Sequence, residues 1–77
     1  MTTDELISVL RGCYDNANRR EVALAIHLFG IEYAAELDGQ PINTIAEAGT
    51  GHRSYGTEIR KGMRLAKYVQ MRAPSTK

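Results

Sequence analysis

Apolar residues recur at spacings of three and four along most of this chain, the period of a helix buried on one face. Leu6, Ile7, Leu10, Cys13 and Tyr14 form the first such stripe and predict a helix over residues 3–14. Thr2 or Thr3 can cap it, with Asp4 and Glu5 set against the positive helix end. Asp15-Asn16-Ala17-Asn18 reads as a turn, and Asn18 followed by Glu21 has the spacing of a capping box. A second helix is therefore expected over 18–37. It carries two stripes: Val22, Ile26, Phe29, Tyr33 and Leu37 on one side, and Leu24, Leu28, Ile31 and Ala35 roughly opposite. A helix apolar on two sides must be covered on two sides. Asp38-Gly39-Gln40-Pro41 ends it, since glycine suits the left-handed residue after a helix and proline cannot continue one. A short helix over 42–48, a break at Gly49-Thr50-Gly51 and a last helix over 54–71 follow. Residues 73–77 read as a frayed tail. No strand-like alternation is present. The expected fold is all-α: four helices in one domain over residues 1–72.

The chain has 77 residues. A domain of that size buries only about 60% of the surface its unfolded chain exposes. Disulfides cannot compensate, because Cys13 is the single cysteine. His27 and His52 have no cysteine at zinc-ligand spacing, so no metal or cofactor is expected. Good helix packing or self-association remains. Either the second helix is the central mast of the domain, or its Leu24, Leu28, Ile31 and Ala35 stripe meets another copy; the small core favours the homodimer. The longest mostly apolar run, Val22 to Ile31, is interrupted by His27 and falls short of the roughly 18 residues a membrane span needs. The polar, acidic start has no secretory pattern, and a free thiol fits a reducing cytoplasm.

Charge changes the picture more than composition does. Residues 1–50 hold eight acids and three bases, net −5. Residues 51–77 hold seven bases (Arg53, Arg60, Lys61, Arg64, Lys67, Arg72, Lys77) and one acid, Glu58, net +6. Such a split points to an anionic partner for the basic end, unless the two halves neutralise each other within the fold.

The segment from Thr44 to Ile59 carries the features of two helices meeting at a tight corner. Ala46 is small enough for the closest approach, Gly49-Thr50-Gly51 supplies a turn, and Ile59 provides an apolar anchor thirteen residues after the alanine. The segment resembles the helix-turn-helix signature of bacterial DNA-binding domains. It departs at two places: Thr50 stands where the usual turn glycine would align, and Gly56 stands at a position that is normally apolar. A glycine there weakens the helix by about 1 kcal/mol relative to alanine, and permits close backbone approach to the partner helix or to a phosphate. The run Ser54 to Met63, with Ile26 to Ile31 upstream, is also similar to short bacterial proteins of helix-turn-helix-like type.

That resemblance implies a protein that binds double-stranded DNA, with a role in bacterial transcription regulation. Residues at the start of the second helix of such a unit reach base edges in the major groove. By position these are His52, Arg53, Ser54, Thr57, Glu58 and Lys61. Arg53 suits guanine, Glu58 a cytosine amine and Thr57 a thymine methyl. Arg60, Arg64 and Lys67 lie further along and suit phosphates. Tyr55, Ile59, Met63, Ala66 and Val69 keep the apolar period and should pack inward. The competing reading is a protein-interaction module whose basic last helix or two-sided second helix takes an acidic protein.

Enzyme chemistry fits poorly. The glycine-rich stretch from Gly49 to Gly56 has Ser54 where a dinucleotide loop needs glycine and Thr57 where a triphosphate loop needs lysine, and no strand precedes it. Cys13 sits on an apolar stripe, and His27 lies beside leucine-rich stripes as a core or interface histidine.

Overall fold

The computed structural model describes residues 1–69 and residue 71. In chain order they form α1 (Thr3–Asn16), a 3₁₀ turn (Arg19–Glu21), α2 (Val22–Glu32), α3 (Ala34–Leu37), α4 (Ile42–Thr50), a second 3₁₀ turn (Arg53–Tyr55) and α5 (Gly56–Leu65). No strand occurs among the described residues. The fold is a small all-α domain. The expected tail over 73–77 lies outside the described residues.

Thr2 is the cap that starts α1. Its hydroxyl accepts from the Glu5 N–H at 3.1 Å, and its own N–H donates to Glu5 Oε1 at 2.7 Å. That bond from the Thr2 backbone holds the Glu5 carboxyl below the usual carboxylate range. Thr2→Ala should cost about 1 kcal/mol in a denaturant titration; an unchanged midpoint would show that the box contributes nothing.

The expected single rod over 18–37 is in fact three pieces. Asn18 accepts from the Arg20 N–H at 3.3 Å and so caps a 3₁₀ turn, while Glu21 (φ −121°, ψ 19°) stays outside the helical basin. The α-helix begins only at Val22. It stops at Tyr33 (φ −108°, ψ 22°), whose ring lies tilted on Phe29 with centroids 5.4 Å apart. The short α3 resumes, and Gly39 at φ +81° turns the chain into α4.

Leu6, Leu10, Ile26, Phe29, Leu37, Ile42, Ile45, Ala46 and Ile59 form one core shared by all five helices. α1 lies on α4, where Gly49 lets the Leu10 side chain come close: a Cβ there would sit 2.8 Å from Leu10 Cδ2. Arg11 adds a bond from Nη2 to the Ala48 carbonyl at 2.7 Å. α5 packs most extensively on α2. At that crossing Gly30 and Gly62 stand backbone to backbone. A Cβ on Gly62 would collide with the His27 carbonyl oxygen and lie 2.9 Å from Gly30 Cα.

Cys13 is half-buried on α1. Burial, then the nearby Glu32 charge, pushes its thiol up, and the same two causes raise the Tyr33 phenol. Between the ordinary and the raised pKa the folded state keeps a proton that the unfolded chain releases. Stability should therefore fall as pH rises from about 8.5. Thermal melts from pH 7.5 to 10.5 check this, and a flat or rising midpoint would contradict it.

Candidate nucleic-acid interface

The corner between α4 and α5 is built by three short-range devices. The Thr50 hydroxyl donates to the Ala46 carbonyl at 2.7 Å and accepts from the His52 N–H at 3.0 Å. Gly51 then takes the left-handed conformation, φ +84°, with its N–H on the Glu47 carbonyl at 2.8 Å. The chain passes through the extended His52 and the single 3₁₀ turn into α5. Thus α4 runs two residues past the expected 48, and Gly51 rather than Thr50 takes the left-handed turn position.

Ala46 and Ile59 are fully buried at the expected approach and anchor positions. Gly56 is buried too, and a Cβ there would strike the Asn43 amide on α4. Of the two uses open to this glycine, close contact with the partner helix is the one present.

His52, Arg53, Ser54, Thr57 and Lys61 are all exposed, as are Arg60, Arg64 and Lys67. Glu58 is placed otherwise. Its side chain is only 25% exposed, and Oε1 lies 2.5 Å from His27 Nε2 on α2. The carboxylate expected at a base edge is held against the body of the domain, and His27 gains a polar partner between its leucines. Arg53 Nη1 lies 3.8 Å from Glu47 Oε1, with both side chains more than 60% exposed, so that pair holds the guanidinium weakly. Among the described residues no ion pair joins Arg60, Lys61, Arg64 or Lys67 to a carboxylate. Among the described residues, Glu47 is the one carboxylate of the acidic half that pairs with this face.

The charge pattern alone does not disclose the uncapped start of α4. Pro41 precedes the helix and no side chain caps it, so the N–H groups of the first turn lack a side-chain acceptor. Gln40 to Thr44 line a shallow depression of about 390 Å³, closed on its other side by Arg53 and Arg60. A proline followed by a helix without Ser, Thr, Asp or Asn at the cap is the sequence signal for such an uncapped end. Two guanidinium groups and a positive helix end make the depression suited to an anion.

On the expected self-association stripe, Leu24, Leu28 and Ala35 are exposed, whereas Ile31 is half-buried with its backbone N–H at the Gly62 contact. Of the residues expected to pack inward along the last helix, Ile59 is buried, and Tyr55, Met63 and Ala66 are half-buried. Val69 is exposed, because α5 ends at Leu65 and turns replace the helix over 66–68.

Among the described residues no group of three or more His, Cys, Asp or Glu side chains is placed to hold a metal ion. No described helix is long and apolar enough to cross a membrane. The family model described as an HTH-like domain matches residues 2–72 of the chain. No curated protein and no solved structure matches it.

Proposed function

The chain belongs to the HTH-like domain family, and on that premise we propose that it binds double-stranded DNA through α4 and α5 without catalysing a reaction. Its place is the bacterial cytoplasm, where it regulates transcription as a homodimer. The observation that carries this reading is an exposed basic face, built on the corner between two helices, in which Arg60, Lys61, Arg64 and Lys67 have no carboxylate partner among the described residues and Arg53 has only its weak pairing with Glu47. Thr57 and Lys61 on the start of α5, with Ser54 in the turn before it, reach base edges, and His52 stands beside them at the corner. Glu58 does not take part, since His27 engages it. Arg60 and Arg53, with the first turn of α4 between them, take a phosphate.

The test is fluorescence anisotropy of a labelled duplex against salt. Affinity for mixed-sequence DNA should fall linearly on a log–log plot, with a slope of about −0.9 for each phosphate neutralised. No binding at about 50 mM salt, where such contacts are strongest, would remove the reading and leave the acidic protein partner as the alternative.

A further inference from the structure

Two exposed patches on this small domain are apolar at the centre and oppositely charged at the rim. On α2, Leu24 (49% exposed) and Leu28 (38%) border a depression with Glu21, and the exposed Glu32 stands one turn beyond Leu28. Past the middle of α5, Leu65 (45%) and Tyr68 (84%) line a groove of about 470 Å³ with Lys61, Arg64 and Lys67. We propose that the chain forms a two-fold dimer in which the acidic patch of each copy seats in the basic groove of the other. This rests on the homodimer reading above and adds which surfaces meet.

The two patches lie on one side of the molecule. His27 and Glu58 meet across the seam between α2 and α5, and Gly30 and Gly62 fix the crossing. At 3.6 residues per turn, Leu24 and Leu28 fall on the side of His27 away from Gly30, and Lys61 and Leu65 fall on the side of Glu58 away from Gly62. Both sets therefore flank the same edge of that seam. A two-fold axis brings residue i onto j and j onto i at once. Patch on groove then occurs twice and closes, whereas acidic patch on acidic patch would set Glu21 and Glu32 against their own copies. A second copy is favoured over an unrelated acidic protein because this chain carries both complementary surfaces in equal number. A stable interface needs about 800 Å² from each partner, and the domain offers 5233 Å² in all. Arg53 and Arg60 line the depression at the start of α4 and stay clear of the groove. Arg64 and Lys67, expected from the sequence at phosphates, are assigned here to the partner copy, whereas Lys61, at the end of the groove nearer the start of α5, is left to the duplex.

The test is sedimentation equilibrium of the full chain without DNA, at tens of micromolar (about the range where a specific dimer of modest interface assembles). The wild-type chain should show a mass near twice its 8.5 kDa. Glu21→Lys with Glu32→Lys makes both surfaces basic, and Arg64→Glu with Lys67→Glu makes both acidic. Each variant alone should be monomeric, and an equimolar mixture should recover the dimer mass, because opposite charges again face each other at both contacts. All four positions are exposed, and circular dichroism confirms that each variant folds; Glu32→Lys alone serves if the pair does not. A monomeric wild type overturns the proposal together with the homodimer reading. A dimer formed by the Arg64→Glu, Lys67→Glu variant alone overturns the pairing and leaves self-association through α2, and a mixture that stays monomeric beside a dimeric wild type overturns the pairing. Duplex binding by the wild type is scored separately, so neither result bears on the DNA reading.

Discussion

Gly62→Ala should cost about 3 kcal/mol or more, a large share of the domain's stability and a large fall in its urea midpoint. Alanine is intrinsically the better helix former by about 1 kcal/mol, so propensity alone predicts a gain. Packing reverses the sign. A Cβ at this position meets the His27 carbonyl, Gly30 Cα at 2.9 Å and the Ile31 nitrogen at 3.0 Å. All three are backbone atoms, and no rotamer change relieves them. α2 and α5 would have to separate along the largest helix contact of the fold. Overpacking typically costs about 1–3 kcal/mol, and more when the surroundings cannot yield. A domain of this size has only about 4–12 kcal/mol to lose. Gly30→Ala should behave alike, its Cβ striking the Ile59 carbonyl and lying 3.0 Å from Gly62 Cα. The two substitutions should be less than additive, because they open one contact. Gly12→Ala is the matched control. Nothing lies within 4 Å of its Cβ on α1, so the same change should gain about 0.5–1 kcal/mol. Urea titrations of the three variants decide it. Equal stability of Gly62→Ala and wild type would mean that the helices do not cross at the backbone.

That glycine pair marks the boundary of what a single sequence discloses. A glycine inside a helical pattern can mark a packing contact; Gly30 stands between Phe29 and Ile31, and Gly62 beside the Ile59, Met63 and Ala66 stripe. Which two glycines face each other, across 32 positions, is a property of the tertiary fold. Glu58 presents the same limit. By position it belongs to the reading face of α5, and nothing local pairs it with a histidine 31 residues upstream. The corner itself was legible, since Ala46 and Ile59 must be small and apolar for the helices to meet at all. The shift of the turn from Thr50 to Gly51 was not, because Thr50 can satisfy the Ala46 carbonyl with its own hydroxyl and prolong α4.

Helix lengths failed where packing, rather than propensity, ends a helix. The apolar period runs unbroken through Tyr33, so the interruption between α2 and α3 leaves no mark on the pattern. Residues 66–69 contain no breaker, and the next proline is Pro74. Yet most helical stability in a folded protein comes from the face that packs, and beyond Leu65 that face has little left to cover it: Val69 is 47% exposed. Conversely, the basic character of residues 51–77 was legible at once, and the fold leaves Arg53, Arg60, Lys61, Arg64 and Lys67 exposed.

Removing Arg53 and Arg60 together should weaken duplex binding by about two orders of magnitude or more, the loss of two charge-assisted bonds, without unfolding the domain. Both side chains are exposed, and surface changes of this kind move stability by about 0.5 kcal/mol or less. Arg53 gives up only its weak pairing with Glu47. For binding the two guanidinium groups matter jointly, because they face the uncapped first turn of α4 across a depression of about 390 Å³. A phosphate seated there would be left with the backbone N–H groups alone. The salt dependence separates this from a general reduction of charge. Each phosphate no longer neutralised should flatten the log–log slope by about 0.9, and the weakening should be similar for every duplex sequence if the site holds only phosphate. A base contact by Arg53 would add a sequence-dependent part, seen as a greater weakening on the preferred duplex than on a random one. Lys61→Ala and Thr57→Ala, on the reading face, should instead change preference among sequences by about 1–3 kcal/mol for each base interaction removed. Glu58→Gln should leave preference unaltered, because the carboxylate faces His27. If the double arginine variant bound as tightly as wild type, with the same salt slope, the depression at the start of α4 would not be where DNA sits.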